Sequence, residues 1–406
     1  MDAFVHQGPC RGPVPRSGLL NSLLLWALLL LAGCQPIQAP APGPIEPLVP
    51  TPVSDVAPAS PSPDEVAGLE IPAAPPPPLP APYTLRWRVG VGVPDGETPL
   101  LYRWPASRPG WYLNWSIGFT ETQPLVGSAM PEIHFRIPLD EAVGMEFVPM
   151  VRTPEGQLWP DEPWIRAVAE RLPGRTWLIG NEPDVRWQDN ATPEAYARAY
   201  HRAYTAIKAA DPTAQVAIGG ISQVTPLRLA YLERIWEAYQ TFYGDEMPVD
   251  VWTMHGFVLQ EKAGDWGVDI PPGFDHVTDG VAWGIQDHDD LSLVEGQVLA
   301  MRRWMREHGQ QQKPLWVTEY GILMPAEYGF SPEVVRRFLL GSFDLFRQLR
   351  DPELGYAADE ERLVQRWVWF STGYDLYPTG DLFTRSGQPT GLMLALAAYL
   401  EEFAGP

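Results

Sequence analysis

A chain of 406 residues with 45% hydrophobic and 19% charged side chains can bury one large core with room for appendages. Its formal charge of -21 argues against nucleic acid or an anionic membrane surface as a partner. The two cysteines, Cys10 and Cys34, both lie near the N-terminus, which leaves the body of the chain without disulfides or a cysteine-based metal site.

Residues 1–33 read as a targeting segment. Arg11 and Arg16 give a positive leader, and Leu23 to Leu31 is an apolar run too short for a comfortable membrane span. It ends in Leu31-Ala32-Gly33-Cys34, which resembles the lipobox of bacterial lipoproteins. That resemblance implies cleavage before Cys34, acylation of its thiol, and an extracytoplasmic chain held at the membrane by its N-terminal lipid only. The alternative is an ordinary secretory signal with an incidental cysteine. Residues 34–83 carry the lipid-bearing Cys34 and then a Pro-rich stretch with no apolar period, expected to be an extended tether. Fully stretched, it reaches on the order of 150 Å at roughly 3.1 Å per residue.

Residues 84–406 alternate strand and helix. Strands are expected at Leu85–Val93, Trp111–Ser116, Glu146–Val151, Thr176–Gly180, Gln215–Gly219, Val249–Met254, Leu315–Thr318 and Gln365–Phe370, with an optional one at Ile133–Ile137. Helices are expected from Pro193 behind a Thr192 cap, over Pro226–Tyr243, from a Ser292/Glu295 capping box, from Pro332 behind Ser331, and over Pro389–Phe403. No helix fits between the first three strands. The pattern predicts an α/β fold, a (β/α)8 TIM barrel with short or missing early helices. A doubly wound sheet is the runner-up, and the lack of a Gly-rich phosphate loop after any strand counts against it.

Two strand ends carry the chemistry. Trp177-Leu-Ile-Gly-Asn-Glu-Pro-Asp184 presents Asn181 and Glu182 where the fourth strand stops, and Pro314-Leu-Trp-Val-Thr-Glu-Tyr-Gly321 presents Glu319 at the seventh. A pair of carboxyl groups at the carboxyl end of a barrel is the minimum equipment for splitting a glycosidic bond. The amide of Asn181 is suited to holding a sugar hydroxyl beside the acid. His255, at the end of strand six, is a further site candidate, although a satisfied core histidine is about as common.

These two stretches resemble the strand-four and strand-seven signatures of clan A glycoside hydrolases. The resemblance implies Glu182 as acid/base and Glu319 as nucleophile. Trp111-Tyr-Leu-Asn-Trp115-Ser, Glu146-Phe-Val-Pro-Met150 and Gln365-Arg-Trp-Val-Trp-Phe370 are similar, in order, to motifs of glycoside hydrolase family 128, the Asl1-like catalytic domain, whose members act on β-1,3-glucans; family 39 is the rival kin. The chain departs from the clan pattern at Met254-His255-Gly256-Phe257, where Phe257 stands in the place of a tyrosine that orients the nucleophile. Either another hydroxyl, such as that of Tyr320, takes that role or the nucleophile is held differently.

The long segment Val258–Asp290, with Trp266, Phe274 and Trp283, reads as a cleft wall or as simple packing in equal measure. Trp115 and Trp369 are weaker candidates for a sugar platform. Asp287-His288-Asp289-Asp290 reads as acidic residues ahead of a helix in preference to a metal cluster. The expected function is retaining hydrolysis of β-linked polysaccharide or oligosaccharide without metal or cofactor. The competing class is a non-catalytic carbohydrate-binding or adhesion lipoprotein on a barrel scaffold. Neither the sugar nor the oligomeric state is fixed by the sequence.

Overall fold

The computed structural model describes residues 78–94, 97–121, 133–135 and 143–404. The expected leader, Cys34 and most of the Pro-rich stretch lie outside the described residues. Eleven strands are described: β1 (Val89–Gly92), β2 (Trp111–Leu113), β3 (Phe119–Glu121), β4 (Ile133–Phe135), β5 (Glu146–Phe147), β6 (Met150–Val151), β7 (Thr176–Ile179), β8 (Gln215–Ile218), β9 (Trp252–His255), β10 (Leu315–Tyr320) and β11 (Arg366–Trp369). The helices are α1 (Leu85–Arg88), α2 (Glu162–Arg171), α3 (Pro193–Ala210), α4 (Pro226–Tyr243), α5 (Leu291–Glu307), α6 (Pro332–Gln348) and α7 (Gly391–Glu402).

Nine of these strands form a closed parallel ring. One hydrogen-bonded sheet runs β5-β2-β1-β11-β10-β9 and another β6-β7-β8. They join at both ends. Val148 N–H donates to Tyr112 O at 3.0 Å and Leu178 N–H to Pro149 O at 2.9 Å, which makes β5 and β6 one interrupted strand. Ala217 pairs in parallel with Val251, linking β8 to the start of β9. With the first strand β1 paired to the last strand β11 and both junctions closed, no sheet edge is left in the ring, so the open doubly wound alternative is excluded and a (β/α)8 barrel results. Three local features correct or complete the expected elements. Leu85–Arg88 is a helical turn capped by Thr84, not the start of the first strand. Ile133–Phe135 pairs antiparallel with Phe119–Glu121, outside the ring. Helix α2 has no counterpart in the sequence reading, although Ile165, Val168 and Ala169 follow helical spacing and form its buried face.

The barrel interior is filled rather than hollow. Trp111, Leu113, Val148, Met150, Leu178, Ala217, Val251, Trp316 and Val368 pack together inside it. β1 gives this layer glycines instead of side chains: a Cβ on Gly90 would lie 2.4 Å from Trp111 Cε2 and one on Gly92 2.7 Å from Trp115 Cη2. Two indoles occupy the volume that β1 vacates. At the opposite end Arg366 is buried, paired with Glu146 at 2.8 Å and set 4.3 Å from the Trp111 ring and 4.7 Å from that of Trp316.

Outside the ring the helices bury one stripe each. Thr192 Oγ1 accepts from Ala195 N–H at 3.3 Å ahead of Pro193, and α3 lays Tyr196, Tyr200, Ala203 and Ile207 on the sheet. At α5 the cap is Asp290, which accepts from Ser292 N–H at 2.8 Å, so Ser292 is the capped residue and not the capping one.

His288 ties two of the loops above the barrel mouth. Its Nδ1 donates to Val258 O at 2.9 Å, and its Nε2 accepts from Leu323 N–H at 2.9 Å. Both nitrogens are committed and the ring is neutral; burial pulls its pKa down to about 4. The unfolded imidazole titrates near 6.5, so this arrangement supports the fold fully above about pH 6.5. That support, roughly 3 kcal/mol, is lost as pH falls toward 4. Urea midpoints at about pH 7.5 and about pH 4.5 test this. His288→Gln, which cannot gain a proton, is expected to be less stable at the higher pH and less sensitive to the drop.

Candidate active site

Glu182 and Glu319 stand at the carboxyl ends of β7 and β10, facing each other across His255. Each is reached by a local departure from regular strand. Gly180 turns the chain at φ +91°, where a Cβ would meet Tyr196 and Thr153, and Glu182 itself adopts φ +43°. The Glu182 N–H donates to Gly220 O at 3.0 Å. The loop behind it folds back so that Asp189 accepts from Asn181 N–H at 2.8 Å, Thr153 N–H at 2.7 Å and Arg152 Nε at 2.7 Å. On β10 the register with β9 shifts between Val317 and Glu319. This irregularity turns Glu319 toward the barrel mouth.

His255 is fully buried between the two carboxylates. Its Nδ1 lies 2.9 Å from Glu182 Oε1 and its Nε2 3.7 Å from Glu319 Oε1. Gly220 makes this placement feasible, since a Cβ there would lie 2.5 Å from His255 Cδ2. Trp115 Nε1 donates to Glu319 Oε1 at 2.6 Å. The side-chain oxygen of Asn181 is buried next to Glu182 in the chain without a hydrogen-bond partner among the described residues, and its Nδ2 donates to Gln188 Oε1 at 3.3 Å.

Burial pushes the Glu319 carboxyl up to about 7, with the His255 charge pulling it down, the Glu182 charge pushing it up, and the Trp115 bond and Arg152 lowering it. For His255, burial pulls the imidazole down, but the Glu319 charge and the Glu182 hydrogen bond outweigh it and leave it raised. A proton held at neutral pH therefore belongs to the cluster and not to one oxygen.

Glu182, His255 and Glu319 each bring one donor atom within 4.8 Å of the others, close enough to invite a cation. His255, however, faces the two carboxylates with different ring nitrogens, whose lone pairs diverge. No one imidazole lone pair is shared between both, and the geometry suits proton sharing better than chelation.

Other candidates lie elsewhere. Tyr320 turns to the opposite face of β10, where Ser342 Oγ donates to its hydroxyl at 3.2 Å and the Phe346 ring stands 5.1 Å away. Trp369 is fully buried in the same layer between strands and helices, 5.5 Å from the Tyr320 ring, with Nε1 donating to Gly380 O at 2.8 Å. Strand alternation sends both away from the cleft, which corrects their reading as site residues. Trp283 is half-buried against the main core. Phe257 packs with Val185, Leu259 and Val268 and offers no donor. The cluster at Asp287–Asp290 supplies a buried structural histidine and a helix cap, as the bland reading expects.

Three features were not legible in advance. The Phe370 ring lies edge-on to Trp115 at 5.6 Å, and Tyr377 stands 6.4 Å from Phe370. Burial and the Glu182 charge both push the Tyr377 phenol up. Arg228, on α4, is fully buried against Asp184 at 2.6 Å and also pairs with Glu261. Only a run of aromatic residues after β11 hints at the first two in the sequence.

No family model and no curated protein matches the chain. Among solved structures it is similar to a GH128 (subgroup II) endo-β-1,3-glucanase from Pseudomonas viridiflava, with 19% identity, 77% of this chain and 97% of that one covered, and a TM-score of 0.50. It is also similar to a glucosidase from Croceicoccus marinus, with 13% identity, 81% and 69% covered, and a TM-score of 0.51. At these identities the likeness is one of fold.

Proposed function

We propose that the chain is a retaining glycoside hydrolase acting on β-linked glucans. The observation that carries this reading is the convergence of Glu182 and Glu319 at the barrel mouth, with one oxygen from each within 4.8 Å. Retaining enzymes hold their carboxyl groups about 5 to 5.5 Å apart, whereas inverting ones leave about 6.5 to 9.5 Å for a water molecule. Glu319 attacks the anomeric carbon while Glu182 gives its proton to the departing oxygen. Glu182 then takes a proton from water as that water displaces Glu319, and two inversions restore the original configuration. The unpartnered Asn181 oxygen is placed to accept from the sugar 2-hydroxyl. The β-1,3 linkage is the first choice of substrate, because the Pseudomonas viridiflava structure with the same fold is named an endo-β-1,3-glucanase.

The test is incubation of the chain with β-1,3-, β-1,4- and mixed-linkage glucans, with and without a chelator. Products are identified by mass spectrometry and their initial anomer by NMR. Retained configuration, unaffected by the chelator, is expected. Binding without cleavage would favour the adhesion reading. We further propose that Cys34 anchors the chain through lipid; fatty-acid labelling that persists in Cys34→Ala would refute this.

A further inference from the structure

We propose that Trp115 is the residue that holds Glu319 in its nucleophilic state, by donating its indole N–H to the attacking carboxylate. This inference rests on the reading of Glu319 as nucleophile. A carboxylate buried at the bottom of a cleft loses its water and is driven toward the protonated, unreactive form unless a fixed donor replaces that water. Among the described residues, two side-chain nitrogens come within 4.0 Å of Glu319 Oε1, and they differ in kind. His255 Nε2 stands at 3.7 Å, beyond hydrogen-bond length, and an imidazole nitrogen either donates or accepts. Trp115 Nε1 stands at 2.6 Å and can only donate. Its bond exists at full strength only while Glu319 is an acceptor. Phe257, two residues after His255 along the chain, supplies nothing polar, and the Tyr320 hydroxyl points into the helix layer.

The position of Trp115 is built at some cost, which a residue serving only as packing would not need. The residue takes φ +53°, an uncommon backbone region for a bulky side chain. Its ring enters a space left by Gly92, where any Cβ would come within 2.7 Å of Cη2. Phe370 braces the indole edge-on at 5.6 Å. Three strands thus contribute to aiming one N–H: β2 through the strained backbone, β1 through a missing side chain, and β11 through the aromatic residue after it.

The charged groups facing Glu319 are His255 from β9, Glu182 from the β7 end and Arg152 from the segment after β6. Within this set burial pushes the Glu319 carboxyl up to about 7, so the cluster still holds a carboxyl proton near neutral pH. Catalysis needs that proton on Glu182 and the charge on Glu319. Trp115 biases the shared proton toward Glu182, since protonating Glu319 weakens the indole bond. Removing the N–H has two consequences. A smaller fraction of singly protonated molecules carries the productive arrangement, and the fully ionised cluster becomes harder to form.

Trp115→Phe keeps an aromatic ring and deletes the donor. Replacing the indole by a benzothiophene keeps the bicyclic shape as well, which guards against a folding defect. Both changes are expected to lower kcat by roughly 10- to 100-fold, the range for one hydrogen bond to a charged group. The alkaline limb of kcat/KM is expected to move up by about one pH unit. A Trp115 that served only as a sugar platform would instead raise KM and leave the limb in place, and that result would overturn the proposal. So would wild-type kcat in the benzothiophene variant. If wild type turns over β-glucans, Glu319→Gln is inactive and the Trp115 variants show neither effect, the inference fails alone. If Glu319→Gln remains active, the reading of the site fails with it.

Discussion

Glu319→Gln is expected to lower kcat by roughly 10⁴-fold or more, the scale seen when a covalent nucleophile is removed, while leaving the fold intact. The amide oxygen of glutamine can still accept from Trp115 Nε1, now 2.6 Å from Glu319 Oε1. Neutralising a carboxyl that burial has pushed up to about 7 does not add a desolvation cost, so the thermal midpoint is expected to hold or rise slightly. The companion change Glu182→Gln separates the two roles. With a natural glucan, whose leaving oxygen needs a proton, its loss should approach that of Glu319→Gln. With an activated aryl glycoside, whose leaving group departs unaided, the first step of Glu182→Gln should recover to near wild-type rate. Glu319→Gln should stay inactive on both substrates. Steady-state and burst kinetics on the two substrate types decide the matter, and recovery of Glu319→Gln instead would exchange the assigned roles.

Arg228→Met is expected to be the most destabilising single change near the site, by about 3 to 5 kcal/mol, the cost of leaving buried carboxylates without their cation. The guanidinium is fully buried and uses all its donating nitrogens. Nε reaches Asp184 at 2.6 Å and Ser222 Oγ at 2.7 Å, NH1 binds Glu261, and NH2 donates to Val268 O at 3.1 Å and Asp269 O at 3.2 Å. The segments after β7, β8 and β9 thereby meet at one cation. Asp184 lies two residues after Glu182 on the same loop, so loosening this knot should also misplace the acid. Denaturant midpoints should show the loss of stability. Activity well below the unfolding temperature should show a fall in kcat as well. Combining Arg228→Met with Asp184→Asn and Glu261→Gln removes the stranded charges and should recover part of the stability but not the activity. If the single variant unfolds at the wild-type midpoint, the network contributes nothing net.

The sequence by itself determined the α/β alternation, the number of barrel strands and the positions of Asn181, Glu182 and Glu319 at strand ends. Each of these is a local property. Apolar runs bounded by glycine or proline mark strands, Thr192-Pro193 marks a helix start, and both acidic residues follow apolar runs within three residues. The tertiary structure decided which way side chains face and what they meet. Tyr320 and Trp369 sit at strand ends like the glutamates, yet a shift of register at Glu319 and ordinary alternation place them on the opposite side of the wall. The pairing of Trp115 with Glu319 joins residues 204 positions apart, and that of Arg228 with Asp184 joins residues 44 apart. Gly90 and Gly92 look like weak points of a strand until the indoles that fill their space are in view. A strand end can be read from its own few residues because propensity acts locally. A hydrogen bond across the barrel depends on ring closure and on the shear between strands, which arise only when all the strands are paired.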